Sequence, residues 1–340
     1  MTNKYPFPKI DLHLHLDGSF RTKTMYELGQ ERGIVFPGET LQGYEAYMIE
    51  HANAESVNDY LQMFDWPSAV LQDRDSLIRI TKELVEDLAR EGARYAEIRF
   101  APQLHTNKGL TQYDAAEAVL EGRRQGMEEN PSVYVNIIVC MMCIGTEKVN
   151  WEANEITVDV ANAYKDKGIV AVDLAGAEGI VPLSNFAPLF EKAKAYGLNI
   201  ISHAGDSQDW KTVEDAVKVF GVSRVGHGHH VYENPELVRY VAKKKIALEI
   251  CPTSNIQCKT RPSFPLHPAK NLLDMGVPVT INTDNMVMAR TDLNREYDHC
   301  LEEMGFEYKD LILMNINSAK AAFMDEELRK SIIEELESYL

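Results

Sequence analysis

The chain has 340 residues, 45% hydrophobic and 26% charged, an ordinary globular composition with apolar material for a sizeable core. Its formal net charge of −17 argues against a nucleic-acid backbone or an anionic membrane as the main partner, because both select basic surfaces. No apolar run approaches the ~20 residues of a membrane span, and the N-terminus MTNKYPFPKI lacks the apolar stretch of a signal peptide.

Five cysteines, Cys140, Cys143, Cys251, Cys258 and Cys300, do not make a disulfide framework in a chain this long, so a reducing cytoplasm is the expected setting. Cys140 and Cys143 have C-x-x-C spacing but lie in the apolar run VYVNIIVCMMC without a partner pair. They read as core residues.

The first element, KIDLHLHL at 9–16, alternates with period two and reads as a strand. His13 and His15 then point to one face, a pairing suited to holding a metal ion. Residues 20–90 carry helical patterns: TKTMYELGQERG, ESVNDYLQMFDWPSAVLQ and DSLIRITKELVEDLAREG. The last is expected to start from Asp75 as N-cap and stop at Gly92. Strand-like segments recur at 93–102, 133–141, 169–176, 198–206, 223–230, 245–252 and 277–285, with helical stretches between them. The segment from Tyr308 to Leu340 reads as more helix.

Eight strands, each followed by helix, imply a parallel sheet covered on its faces. That number in one run favours a (β/α)₈ TIM barrel, a single domain over 1–340, with a helical insertion after strand 1 and C-terminal helices. The insertion would sit over the barrel mouth, where βα loops emerge. The G-x-G-x-x-G of a dinucleotide site is absent after the first strand.

Polar residues cluster at the C-terminal ends of these strands, where barrel enzymes keep their chemistry. Strand one ends in His13, His15 and Asp17; strand five in His203-Ala-Gly-Asp206. Strand six ends in Gly226-His227-Gly228-His229-His230 and strand eight in Asn282-Thr283-Asp284-Asn285. Each fragment alone has a structural explanation. Together they form an imidazole–carboxylate set suited to a borderline divalent ion, zinc first among them. Such an ion lowers the pKa of bound water to about 7. A base and an acid are also needed, and His227 and Asp206 are the unassigned ionisable groups. His51, His105, His267 and His299 lack such company and are assigned no chemistry. Glu97 and Arg99 alternate on strand two, where a buried charged layer is the modest reading for one of them.

Seven segments, KIDLHLHLDGS, EIRFAP, DLAGAE, SHAGD, RVGHG, CPTSN and INTDN, occur in an order and spacing that resembles the adenosine deaminase family of the metal-dependent amidohydrolases. The resemblance implies hydrolytic deamination of adenosine or 2'-deoxyadenosine, with a purine nucleoside as the small-molecule partner and one zinc ion per chain. His13, His15, His203 and Asp284 would be the ligands. His227 would orient the attacking hydroxide and Asp284 would also contact it. Asp206 would donate a proton to purine N1. His15, Asp17, Gly176 and Asn285 would contact substrate: Asp17 the ribose hydroxyls, Gly176 and Asn285 the purine. Tyr60, Leu61 and Phe64 would form an apolar lid.

Two positions depart from the family pattern. Asp206 stands where the family usually has Glu, which retracts the carboxylate by one methylene. Asn285 stands where a second Asp is usual. Three other readings stay open: a deaminase of adenine or of a modified adenine nucleoside, a sibling hydrolase, and a non-catalytic nucleoside-binding barrel, whose only support is these two departures. Siblings that use two metals bridged by a modified lysine at strand four are disfavoured by DLAGAE, which has no lysine.

Overall fold

The computed structural model describes residues 4–340; the first three residues of the expected 1–340 domain lie outside the described residues. Eight parallel strands follow one another in sequence order around the sheet. They are β1 Lys9–His15, β2 Ala93–Phe100, β3 Tyr134–Cys143, β4 Ile169–Gly176, β5 Asn199–Ala204, β6 Arg224–His227, β7 Ala247–Ile250 and β8 Val279–Ile281. All eight strands expected from the sequence are present, the later ones shorter than their apolar runs. β8 returns to β1 through a bridge between Leu14 and Asp284. His15 N donates to Asp284 O at 2.7 Å and Asp284 N to His13 O at 2.8 Å. Lower down, side-chain amides replace the missing ladder: Leu12 N donates to Asn282 Oδ1 and Ile10 N to Asn315 Oδ1, both at 2.9 Å.

Strand alternation sorts the residues. Ile10, Leu12 and Leu14 join the apolar core, whereas His13 turns to the site and Lys9 ends on helix residues, donating to Asn294 Oδ1 at 2.8 Å. The axis is polar. Arg99 donates to Asp173 Oδ2 and Glu249 Oε2, both at 2.8 Å. Arg224 reaches Glu249 Oε1 at 2.7 Å and Glu97 Oε2 at 2.5 Å. The buried charged layer expected of strand two thus takes in both Glu97 and Arg99. Burial alone would push the Glu249 carboxyl up, but the two guanidiniums hold it well below its ordinary range. Removing one partner from such a network leaves an uncompensated buried charge. Arg224→Met is therefore expected to cost ~3–5 kcal/mol of stability, measured by urea unfolding. Because the carboxylate pKa is depressed, the network's contribution is present above the unfolded pKa and is lost as pH falls through the folded one.

The insertion between β1 and β2 differs in detail from the sequence reading. The helix Arg74–Glu91 is capped by Asp73, whose side chain accepts from Ser76 N at 2.9 Å, and not by Asp75. Asp73 has extended backbone and so occupies the cap, while Asp75 already lies in the first turn. Gly92 closes that helix at φ 84° as expected. A helix at Leu41–His51 has no counterpart in the reading. Its apolar residues are spread around it and only Tyr44 and Met48 are buried, so it lacks a clear helical stripe. The ESVNDYLQMFDWPSAVLQ pattern breaks into Val57–Leu61, a 3₁₀ turn Gln62–Phe64 and Asp65–Val70.

Candidate active site

His13 and His15 leave β1 on one face, as the strand period requires, and meet His203 from β5. His15 Nε2 lies 3.2 Å from His203 Nε2. Asp284, just beyond β8, brings Oδ1 to 3.6 Å from His13 Nε2 and 3.5 Å from His15 Nε2. His227 completes the ring, its centroid 4.8 Å from that of His13. His227 and Asp284 both have positive φ, 59° in each case. Two non-glycine residues in that sparsely populated region at one site mark backbone held by its surroundings.

The outer nitrogens of two of these rings are occupied. His13 Nδ1 lies 2.9 Å from Glu249 Oε2, and His203 Nδ1 lies 2.9 Å from Asp173 Oδ2. Both carboxylates are held ionised against the effect of burial, Asp173 by His203 and Arg99 and Glu249 by Arg99 and Arg224. A proton on each Nδ1 leaves a lone pair on each Nε2. His13 Nε2 is buried without a hydrogen-bond partner. Burial lowers the pKa of His13 and that of His15 further still, whereas for His203 the Asp173 carboxylate outweighs burial and raises it. For Asp284, burial is outweighed by the adjacent imidazoles, which hold its carboxyl well below the usual range. Imidazole nitrogens and an ionised carboxylate crowd one space, which a cation between them would relieve, and a carboxylate behind a histidine is the usual support of a metal ligand. The donor set therefore fits a divalent ion. Cys251 is also near, but burial pushes its thiol well up and it donates to Glu249 O; it is not a thiolate ligand.

Asp206 follows β5 at the edge of the cluster. Its Oδ1 accepts from His229 Nε2 at 3.1 Å, Asn255 Nδ2 at 2.8 Å and Thr260 Oγ1 at 3.0 Å. These bonds all fall on Oδ1; Oδ2 takes none of them. His229 is itself oriented by Arg261 Nε, which donates to its Nδ1 at 2.8 Å. Burial would raise the Asp206 carboxyl, but His227, His229 and Thr260 hold it well below the ordinary range. Behind it, Glu178 accepts from the backbone N–H groups of Gly205 (2.6 Å), Asp206 (3.1 Å), Ser207 (2.9 Å) and Gln208 (3.1 Å). The shorter carboxylate is therefore clamped through both its side chain and its backbone.

The cavity above has a volume of about 380 Å³. His15, Asp17, Gly176, His203, Asp206, His227, Asp284 and Asn285 all border it, as do Tyr60, Leu61 and Phe64 from the insertion. Every site residue expected from the sequence except His13 lines this space, and His13 lies directly behind it, fully buried. Asp17 is buried with Oδ1 unpartnered, and burial pushes its carboxyl up to about 6. Asn285 Oδ1 packs against Gly18, where a Cβ would lie 1.8 Å from it. Gly18→Ala is expected to displace Asn285 and lower kcat/KM by ~10²-fold, the scale of a 1 Å misplacement, with metal content unchanged by elemental analysis. Gly176 has φ 107°, and a Cβ there would meet Cys143 O at 2.5 Å, so only glycine fits that wall.

Sequence reasoning missed the supporting residues Glu178, Asp173, Glu249, Asn255, Thr260 and Arg261. Three of them stand inside the quoted motifs DLAGAE and CPTSN, which is the signal that was available. Thr260 and Arg261 carried none.

The sequence profile described as "Adenosine deaminase" matches residues 8–339. An adenosine deaminase of Haemophilus ducreyi is 35% identical over 327 residues, covering 95% of this chain and 94% of the relative. Among solved structures, an adenine deaminase from Arthrobacter aurescens superposes with a TM-score of 0.89 at 23% identity, covering 98% of each chain; at that identity the likeness is one of fold. An N6-mAMP deaminase from arabidopsis superposes with a TM-score of 0.85 at 27% identity, again covering 98% of each chain. With the profile spanning nearly the whole chain and the motif residues gathered around one cavity, the protein belongs to the adenosine deaminase family.

Proposed function

We propose that the chain, as one domain over 1–340, hydrolyses adenosine and 2'-deoxyadenosine to inosine and 2'-deoxyinosine with release of ammonia. The observation that carries this reading is the clamped, ionised Asp206 beside His227, at the edge of the His13–His15–His203–Asp284 cluster. Those four residues would hold one ion, read here as zinc, which when bound supplies the Lewis acidity that brings a water's pKa toward neutrality.

The chain's own groups do the rest. Asp206 starts ionised, so it accepts a proton from the attacking water at Oδ2 and passes it to purine N1. Protonated N1 draws electrons from C6, which accepts the water oxygen and becomes tetrahedral. His227 donates a hydrogen bond to that oxygen. The hydroxyl proton then moves by way of Asp206 to the exocyclic nitrogen, the C6–N bond breaks, and ammonia leaves a 6-oxo purine. Asp17 accepts from a ribose hydroxyl, Asn285 donates its amide NH₂ to N7, and Gly176 offers its backbone N–H to the ring. Tyr60, Leu61 and Phe64 form a dry lid that excludes bulk water.

The cavity has four aspartates on its lining, Asp17, Asp65, Asp206 and Asp284, and neither lysine nor arginine. Such a wall repels a phosphate and favours an uncharged nucleoside. Ammonia release measured across adenosine, 2'-deoxyadenosine, adenine and AMP tests the reading. Adenosine is expected to lead, with AMP at least ~10²-fold lower in kcat/KM, since like-charge juxtaposition costs several kcal/mol. Adenine or AMP as the preferred substrate would overturn the nucleoside assignment. Among the described residues no helix is long and apolar enough to cross a membrane, and the five unpaired thiols favour a reducing, cytoplasmic setting.

A further inference from the structure

His267 carries no chemistry in the sequence reading, yet it ends a chain of hydrogen bonds that reaches His227. The chain starts at a backbone amide. Ala269 N donates to His267 Nδ1 at 3.2 Å. A backbone N–H can only donate, so the His267 proton sits on Nε2. That nitrogen lies 3.2 Å from Asn255 Oδ1 and donates to it. The Asn255 amide is thereby oriented, oxygen toward His267 and NH₂ away. Its two amide hydrogens face two acceptors, Asp206 Oδ1 at 2.8 Å and His227 Nδ1 at 3.1 Å. A ring nitrogen that accepts carries no proton, so neutral His227 has its hydrogen on Nε2. Asn255 is fully buried and His267 nearly so, which keeps water from replacing either bond.

We propose that His267, acting through Asn255, is a positioning residue that fixes His227 as its Nε2–H tautomer and pins Asp206 Oδ1. The proposal rests on the deaminase reading for its consequence, not for its geometry. With the hydrogen on Nε2, His227 presents a donor to the attacking oxygen. With it on Nδ1, the ring would present a lone pair there and compete with Asn255 for a proton position. His267 touches no substrate atom in this scheme; it sets which face of an amide, and so which edge of an imidazole, does the donating.

The test uses the metal-loaded full chain labelled with ¹⁵N histidine. Two-bond proton–nitrogen spectra, with the His227 signals assigned through a His227→Gln variant, report which ring nitrogen of His227 is protonated. The wild type is expected to show Nε2–H, and Nδ1–H would overturn the proposal whatever the enzyme's substrate proves to be. In His267→Phe the donor is lost. The His227 signals are expected to move toward a mixture of tautomers, and kcat on adenosine to fall roughly 10- to 100-fold with KM unchanged, the scale of one buried unsatisfied acceptor. His267→Gln restores an N–H donor and is expected to recover most of kcat and the wild-type tautomer. Wild-type spectra and kcat in His267→Phe, or no recovery in a folded His267→Gln, would refute it. If the phenylalanine variant fails to fold, the wild-type spectrum and the glutamine variant still decide. An enzyme silent on adenosine but showing Nε2–H would sink the deaminase reading and leave the positioning geometry standing.

Discussion

Asp206→Asn is expected to lower kcat by about 10²- to 10⁴-fold, the usual worth of a positioned general acid–base group, while metal content and inosine affinity persist. The amide is nearly the same size, so the cavity keeps its shape. Its carbonyl oxygen can keep the three donors that Oδ1 holds, but the NH₂ then stands in the Oδ2 position and cannot accept and return a proton at neutral pH. Asp206→Ala tests the same claim more coarsely: turnover abolished, metal retained. Asp206→Glu, although it restores the residue usual in the family, is expected to lower kcat as well. The donors His229, Asn255 and Thr260 are set for the shorter side chain, and the added methylene displaces the carboxylate by ~1 Å, worth roughly 10²-fold. The acid limb of the pH–rate profile follows from the same contacts. Asp206 acts as a base, and its pKa is held low, so activity lost by its protonation is lost only well below the ordinary carboxylate range. His229→Leu removes one stabilising donor and is expected to move that limb to higher pH, read from kcat/KM against pH.

Asp17→Ala is expected to erase most of the preference for adenosine over adenine. Asp17 is buried in the cavity wall with an oxygen that has no partner inside the protein. A site with a buried polar group awaiting a substrate hydroxyl rejects an analogue lacking it by as much as ~10⁴-fold. Without the carboxylate, kcat/KM on adenosine should drop while that on adenine changes little, and the ratio of the two, measured by ammonia release, reports the loss. A ratio unchanged in a folded, metal-bound variant would mean that ribose is recognised elsewhere. Asn285→Asp is expected to alter the ranking of adenosine, deoxyadenosine and adenine more than metal content, because Asn285 lies against Gly18 and Tyr60 in the cavity wall, where the proposed reading sets the purine.

The sequence was most legible where strand period and chemistry coincide. His13 and His15 had to share a face, and β-α alternation had to carry His203, His227 and Asp284 to the same end of the barrel. Composition and spacing carry no information about what stands behind those residues. Glu249 and Asp173 stand behind His13 and His203 from other strands, and the pairings that bring them there are long-range contacts set by barrel closure. The clamp on Asp206 draws on three loops, through Glu178, His229 and Thr260, so an isolated HAGD motif reads only as a defect of reach. Helix boundaries were least legible where the periodic signal is weak: Leu41–His51 buries only two residues, and the true cap of Arg74–Glu91 stands two positions before the aspartate chosen.

The most direct test of the central claim follows the ultraviolet absorbance of adenosine with purified, zinc-loaded protein, before and after treatment with a chelator. The account predicts a fall in absorbance as adenosine becomes inosine, abolished by the chelator and restored by zinc. Adenosine left unchanged by protein of verified metal content would contradict it.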